Sequence, residues 1–261
     1  MENQMIFKRY EIKYMLTKEQ KNMLLDVMKE HMIADVHGRS TILSLYLDTP
    51  DHLLIRRSID KPAYKEKLRI RSYGVAGKDT EVFLELKKKY DSVVYKRREG
   101  MKERQFEEYM KTGNACKDTQ IMREIDYSMK RYAGLAPAVM ISCEREAFYD
   151  KNDYEFRMTF DENILWRDDD LSLCSPVHGS PLLTPGQALL EVKIAGSIPL
   201  WLVHFFSRNS IRPTSFSKYG SAYTTMLHNC SHDSNKDNSN NSSNKTNTIH
   251  NIPDGGTYKY A

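Results

Sequence analysis

Over and over in this chain, cations and apolar residues alternate with a period of two, the repeat of a β-strand whose two faces meet different surroundings. In 64–73, YKEKLRIRSY, Lys67, Arg69 and Arg71 share one face, and Leu68 and Ile70 share the other. In 82–89, VFLELKKK, Glu85, Lys87 and Lys89 oppose Val82, Leu84 and Leu86. Glu191 and Lys193 oppose Leu190, Val192 and Ile194, while Arg9, Glu11 and Lys13 oppose Tyr10, Ile12 and Tyr14. Arg157, Thr159 and Asp161 share a further face, and Arg145 lies on a strand with Ile141 and Cys143. Solvated strand faces usually mix signs, because like charges directly opposed across a ladder repel. Cations aligned on adjacent strands make sense if an anion lies between them. A closed antiparallel barrel with flanking helices meets that condition. Its outer face packs apolar residues against the helices, and its lumen gathers the charge. The expected fold class is therefore α+β, built on a barrel or deeply curved sheet.

The strand pattern recurs at 6–14, 41–48, 63–73, 80–90, 93–98, 138–149, 154–161 and 188–195. Helical signals lie between. Thr17 and Gln20 form a capping-box pair ahead of an apolar stripe of Met23, Leu24, Val27 and Met28. Helices are also expected after Asp118 (Ile121, Met122, Ile125 and Met129, ending before Gly134), over 198–208 with Trp201 and Phe205 in the core, and from Ser217 onward. From Asn229 to Thr248 the chain turns Asn/Ser-rich with almost no apolar residues, the composition of a disordered tail. This sets one folded domain at 5–228 and a tail at 229–261.

The net charge of +4 over 261 residues is too mild to indicate nucleic-acid binding. An RNA-binding barrel would also interleave aromatic residues with the basic ones, and here the tyrosines fall mostly on the opposite face. The four cysteines make no CxxC pair, which argues against a zinc or redox motif. Residues 1–10 lack an apolar signal core and no run is long enough to span a bilayer, so a cytoplasmic location is expected. No Gly-x-x-x-x-Gly-Lys-Ser/Thr loop is present, and His52, His178 and His204 are scattered and read as structural or surface residues. Among the acids on the basic faces, Glu11 and Glu85 read as ion-pair partners. Glu191 is the first candidate ligand for Mg²⁺ or Mn²⁺ and Asp161 the second. Such an ion needs only one or two carboxylates when phosphate and water complete its shell.

Taken in order, RYEIKY (9–14), SLYLDT (44–49), KLRIRSYG (67–74), VFLELKKK (82–89), VYKRR (94–98), CEREAFY (143–149), RMTFDENI (157–164), LLEVKI (189–194) and SFSKYGSAY (215–223) resemble the polyphosphate-polymerase domain of the vacuolar transporter chaperone family, a branch of the triphosphate tunnel metalloenzymes. The resemblance implies an eight-stranded closed tunnel, a divalent metal, and chemistry on a triphosphate or longer phosphate chain. Carried over by position, it implies that Lys13, Arg69, Arg71, Lys87, Arg145 and Arg157 act on the reacting phosphates. Lys67, Lys96, Lys193, Ser217, Lys218 and Tyr219 hold substrate, with Arg97 or Arg98 as alternatives to Lys96. The metal carboxylate falls on Glu191. One departure stands out: hydrolytic members open with Glu-x-Glu-x-Lys, and here Arg9 replaces the first acid.

The leading expectation is transfer of the γ-phosphoryl of ATP onto a growing polyphosphate end, the acceptor being a phosphate oxygen already ionised at neutral pH. An inorganic triphosphatase or tripolyphosphatase on the same scaffold, and a non-catalytic anion-binding module, are the rivals. Expected partners are ATP and polyphosphate, with no nucleic acid and no membrane span. The sequence leaves open whether a separate membrane protein receives the product.

Overall fold

The computed structural model describes residues 10–91 and 93–240, with 230–240 as backbone. Every strand expected from the alternation is present, several of them longer than expected. They are β1 (Tyr10–Leu16), β2 (Met32–Asp48), β3 (Tyr64–Tyr73), β4 (Glu81–Tyr90), β5 (Val93–Lys102), β6 (Ala136–Asp150), β7 (Arg157–Arg167), β8 (Ser180–Pro181), β9 (Ala188–Ile194) and β10 (Pro213–Thr214). The helices are α1 (Lys18–His31), α2 (Leu53–Ile59), α3 (Glu103–Thr112), α4 (Gln120–Arg131), α5 (Leu200–Arg208) and α6 (Lys218–Asn240). The Thr17–Gln20 capping box forms reciprocally at the start of α1. Thr119 caps α4 by accepting from the Met122 backbone N–H.

All strands join one antiparallel sheet in the order β10-β1-β9-β7-β6-β2-β3-β4-β5, with β8 added to β7. Among the described residues the sheet has ten strands and is open, which corrects the closed eight-stranded barrel. Among the described residues no ladder joins β5 to β10 or β1. One reason lies in β10, which is two residues long and contains Pro213. A short strand with a proline offers little backbone for another strand to pair with. The two ends of the sheet meet through side chains instead. Lys87 Nζ on β4 lies 3.6 Å from Glu11 Oε2 on β1, and Lys67 Nζ on β3 donates to Ser217 Oγ just before α6 at 3.2 Å.

The apolar outer face packs in two places. Leu45, Leu68, Ile70, Leu84 and Leu86 bury against Leu54 of α2, Phe106 and Tyr109 of α3, and Met122 and Ile125 of α4. Tyr14, Leu16, Met158, Phe160, Leu190 and Val192 bury against Leu24 and Met28 of α1 and Leu202, Phe205 and Phe206 of α5. The hydrophobic effect therefore pulls the strands outward onto helices and leaves the charged face inward.

Helices α2 and α3 are not evident in the sequence. α2 is seven residues long, too short to display a period of 3.6. Its opening N–H groups are satisfied by Asp48: Oδ1 accepts from Leu54 N at 2.8 Å and Oδ2 from Ile55 N at 3.0 Å. The same carboxylate accepts from Tyr219 Oη at 2.9 Å, so one buried acid ties the end of β2 to the first turn of α6. β2 starts at Met32 rather than 41. Its first half is polar and carries a register shift between Ala34 and Arg39, which hides the alternation.

Residues up to Tyr223 form one compact unit, and α6 continues past it. Its helical backbone runs to Asn240, beyond the Asn229 boundary at which the disordered tail was expected to begin. Adding residues to an existing helix requires no new nucleus, which lets a polar sequence extend it. The rest of that tail, 241–261, and the Arg9 position lie outside the described residues.

Candidate functional site

The charged faces of both halves of the sheet converge on a cavity of about 140 Å³. Of the residues expected at the site, Lys13, Lys67, Arg69, Arg71, Lys87, Arg145, Glu191, Ser217, Lys218 and Tyr219 line it. The remaining four are placed differently. Arg157 stands directly opposite Lys193 on neighbouring strands but is exposed, and its Nε donates to Tyr154 O at 2.9 Å. Lys193 is half-buried, with Nζ 3.7 Å from Glu191 Oε2. Lys96 lies outside the lining, 2.9 Å from Glu85 Oε1. Asp161 is fully buried behind the wall.

Strand register explains the pairings. Lys13 faces Glu191 across β1 and β9, Arg145 faces Asp161 across β6 and β7, and Arg69 faces Glu85 across β3 and β4. Asp161 takes a two-pronged contact from Arg145 (Nε–Oδ1 2.5 Å, Nη2–Oδ2 2.6 Å) and a third from Lys218 Nζ at 2.5 Å. Glu191 is surrounded at longer range by Lys218 (3.2 Å), Arg145 (3.6 Å), Lys13 (3.7 Å) and Lys193 (3.7 Å). Burial pushes the Glu191 carboxyl up. Lys218, Lys193, Arg145 and Lys13 together outweigh that and hold it well below the carboxylate range. Burial likewise raises Glu85, yet Arg69, Arg71 and Lys96 bring it down to about 2.

On the β3 side the balance differs. Arg71 is 8% exposed, its Nε is 3.4 Å from Ser44 Oγ, and no carboxylate of the described residues lies in ion-pair range of it. Burial, then the neighbouring Arg69, lowers its pKa. Among the described residues Lys67 donates to the neutral Ser217 hydroxyl and has no carboxylate in ion-pair range. Burial, with Lys13, Lys87 and Lys65 nearby, brings its ammonium down to about 8 even though Tyr46 opposes the shift. Two cations, one buried and one half-buried, thus face the cavity with no carboxylate in ion-pair range among the described residues.

Tyr46 is the residue that sequence reasoning missed. It lines the cavity, accepts from Arg69 Nη1 at 3.0 Å, and stacks near Tyr219 at 4.8 Å between ring centroids. Burial raises its phenol, but Arg69, Lys67 and Lys218 outweigh it and bring the pKa down to about 8. The signal was available, since Tyr46 has the parity of Ser44 in β2 and pairs with Arg69. Tyr219 lines the cavity with its ring, while its hydroxyl is committed to Asp48. Among the described residues no histidine lines the cavity.

The VTC domain model matches residues 8–227. The chain belongs to the VTC domain family. Among solved structures, a provisionally named adenylate cyclase from Bacillus halodurans shares the fold with a TM-score of 0.51 at 12% identity, covering 81% of this VTC domain chain and 94% of its own. A second provisionally named adenylate cyclase, from Vibrio parahaemolyticus, gives a TM-score of 0.41 at 14% identity, covering 78% and 85%. No curated protein sequence matches the chain. The VTC domain here has the triphosphate-tunnel fold, with its sheet open at one seam. No helix among the described residues is long and apolar enough to cross a membrane.

The two candidate metal carboxylates differ in how they could receive a divalent cation. Asp161 does not fit as a ligand, because both its oxygens are held by Arg145 and Lys218 at 2.5–2.6 Å. Glu191 does fit. It lines the cavity, it stays ionised, and its contacts at 3.2–3.7 Å leave room for a tighter partner. Among the described residues no group of three metal-type side chains forms a closed cage. Any cation bound at Glu191 would share its shell with phosphate oxygens and water.

Proposed function

We propose that this VTC domain is a polyphosphate polymerase, transferring the γ-phosphoryl of ATP onto the end of a phosphate chain held in the cavity. The observation that carries the reading is the pair of cations, the buried Arg71 and the half-buried Lys67, that line the cavity with no carboxylate in ion-pair range among the described residues. A buried unpaired charge is costly, so the counter-ion is expected to arrive with the ligand. An arginine fork matches phosphate oxygens, and a lysine supplies mobile point charge.

Phosphoryl transfer asks the protein for positioning and charge neutralisation rather than covalent help. Arg69, Arg71 and Arg145 would orient the triphosphate across the β2–β3–β6 wall. Lys13 and Lys218, both beside Glu191, would neutralise charge building on the leaving and attacking oxygens. A divalent ion at Glu191 would add the Lewis-acid charge that such transfers use. The acceptor phosphate oxygen is already ionised, so no general base is required, in keeping with a lining that holds no histidine.

A triphosphatase would instead need a positioned water. Of the carboxylates in the lining, Glu85 is closely engaged by Arg69 and Lys96, Glu191 is the one that would take a metal, and Glu11 lies beside Lys13 and Lys87, a set poorer in free carboxylates than a water-activating site calls for, which favours the transferase. Incubation with ATP and Mn²⁺ or Mg²⁺, with products resolved by size on a gel, separates the two. Long chains are expected, and orthophosphate alone would overturn the polymerase reading.

A further inference from the structure

The basic face of β3 and β4 does not stop at the cavity. Their register sets Lys67 opposite Lys87, and one step further out sets Lys65 opposite Lys89. Lys87 in turn faces Lys96 on β5. Successive residues on one strand face are about 6.8 Å apart, so these rungs continue the line of Arg69 outward. Like charges directly opposed across a ladder destabilise it.

The protein's own acids cover this line unevenly. Lys87 has Glu11 at 3.6 Å and Lys96 has Glu85 at 2.9 Å. Among the described residues, neither Lys65 nor Lys89 has a carboxylate in ion-pair range. Both are half-buried, and the one polar contact given for the Lys65 ammonium is to the Ser58 carbonyl, at 3.2 Å. Burial, then Lys89, Lys61 and Lys87, lowers the Lys65 pKa, so its electrostatic neighbours are cations. The opposite face of the same strands is treated differently: Lys88 there has Glu66 at 3.8 Å.

We infer that Lys65 and Lys89 form an outer anion site continuous with the cavity, which holds the part of a linear polyanion extending beyond the reacting phosphates. This rests on the proposed function for the identity of the polyanion, inorganic polyphosphate. The site gives the domain a preference for long chains over short ones. A triphosphate fills the cavity and does not reach the outer rung, whereas a chain of many phosphates spans both.

The test is binding by calorimetry of inorganic triphosphate and of long-chain polyphosphate to the full chain, comparing the parent, Lys65→Ala/Lys89→Ala, and a control that removes the same charge elsewhere, Lys111→Ala/Lys130→Ala. The expected result is a loss of about tenfold or more in long-chain affinity with a shallower salt dependence, while triphosphate affinity stays at the parental value and the control matches the parent. Thermal melting checks the fold, and the milder Lys65→Gln/Lys89→Gln pair serves if the alanine pair melts early. Unchanged long-chain affinity would overturn the outer site and leave the cavity reading standing. Equal losses for both ligands would also overturn it, because the two lysines would then be acting on the cavity itself. A parent that binds neither phosphate would sink the proposed function and the outer site together.

Discussion

The two halves of the inner face carry the same residue types and use them differently. On the β1–β9–β7 half, cations and carboxylates interlock: Asp161 with Arg145 and Lys218, Glu191 with Lys13, Lys193 and Lys218. On the β3–β4–β5 half, the buried Glu85 is shared by Arg69, Lys96 and Arg98, while Arg71, Lys67, Lys65 and Lys89 have no carboxylate in ion-pair range among the described residues. One half is neutralised from within. The other needs an anion from outside. That division suits a reaction in which one wall fixes the geometry and the facing wall holds a polymer that must advance.

The sharpest way to break this contrast is to remove a carboxylate from the interlocked half. Asp161→Asn leaves Arg145 and Lys218 buried without their partner. A stability loss of about 3–5 kcal/mol is expected in chemical denaturation. If the fold were indifferent to that substitution, the interlocked half would not be what fixes the wall. Next in size is Glu191→Gln, which keeps shape but removes the charge a divalent ion requires. Turnover should fall by about a hundredfold or more while polyphosphate still binds. Full metal-dependent turnover in that variant would take Glu191 out of the metal site.

On the open half, Arg71→Ala deletes a guanidinium that has no carboxylate in ion-pair range among the described residues. Polyphosphate affinity should fall by roughly ten- to a hundredfold, the worth of one charge-assisted contact. Because Arg71 lacks an internal carboxylate, its loss should cost far less stability than that of Asp161. Parental affinity in the variant would show that the fork does not grip phosphate.

The smallest effect is in pH. Lys67 and Tyr46 both titrate near about 8. Below that value Lys67 is a cation and Tyr46 is neutral, and above it the cation is lost and a phenolate appears. Both changes oppose an anion, so affinity should drop several-fold between about pH 7 and 9, in line with one to two surface-scale charge interactions. For folding the sign is opposite. The depressed Lys67 pKa means the unfolded chain holds that proton more tightly, so this group's contribution to stability grows as pH rises from about 8 toward its unfolded value. A Lys67→Arg/Tyr46→Phe variant should flatten the binding profile, and a profile unchanged by it would assign the titration elsewhere.

Much of this was legible from alternation. Lys67, Arg69, Arg71 and Lys87 follow the period of two onto one face, and the cavity gathers them with Glu191 and Lys218. Parity does not report distance along a strand, so Arg157, on the same face as Asp161, ends at an exposed rim. Nor does parity report which acid a cation will find. Asp161 stood second to Glu191 as a candidate ligand, and nothing in the sequence showed that it would be taken by a neighbouring cation. Register places Arg145 directly across from Asp161 and so consumes it. The open seam was illegible for a similar reason, since closure depends on the backbone available at β10 and not on any strand's own pattern.

That seam has a consequence for how a polymer gets in and out. A sealed tube can be loaded only by threading, so a strand capped at both ends with bulky groups is shut out. Among the described residues the rim is fastened by the Lys87–Glu11 and Lys67–Ser217 contacts and by no backbone ladder, and such clasps exchange as fast as side chains rotate. The topology therefore sets no bar to lifting a strand in or out sideways, mid-length, without passing an end. Release then becomes a matter of unfastening a few charged contacts, and ring-shaped or end-blocked chains, though they offer no terminal phosphate to extend, are not barred from binding.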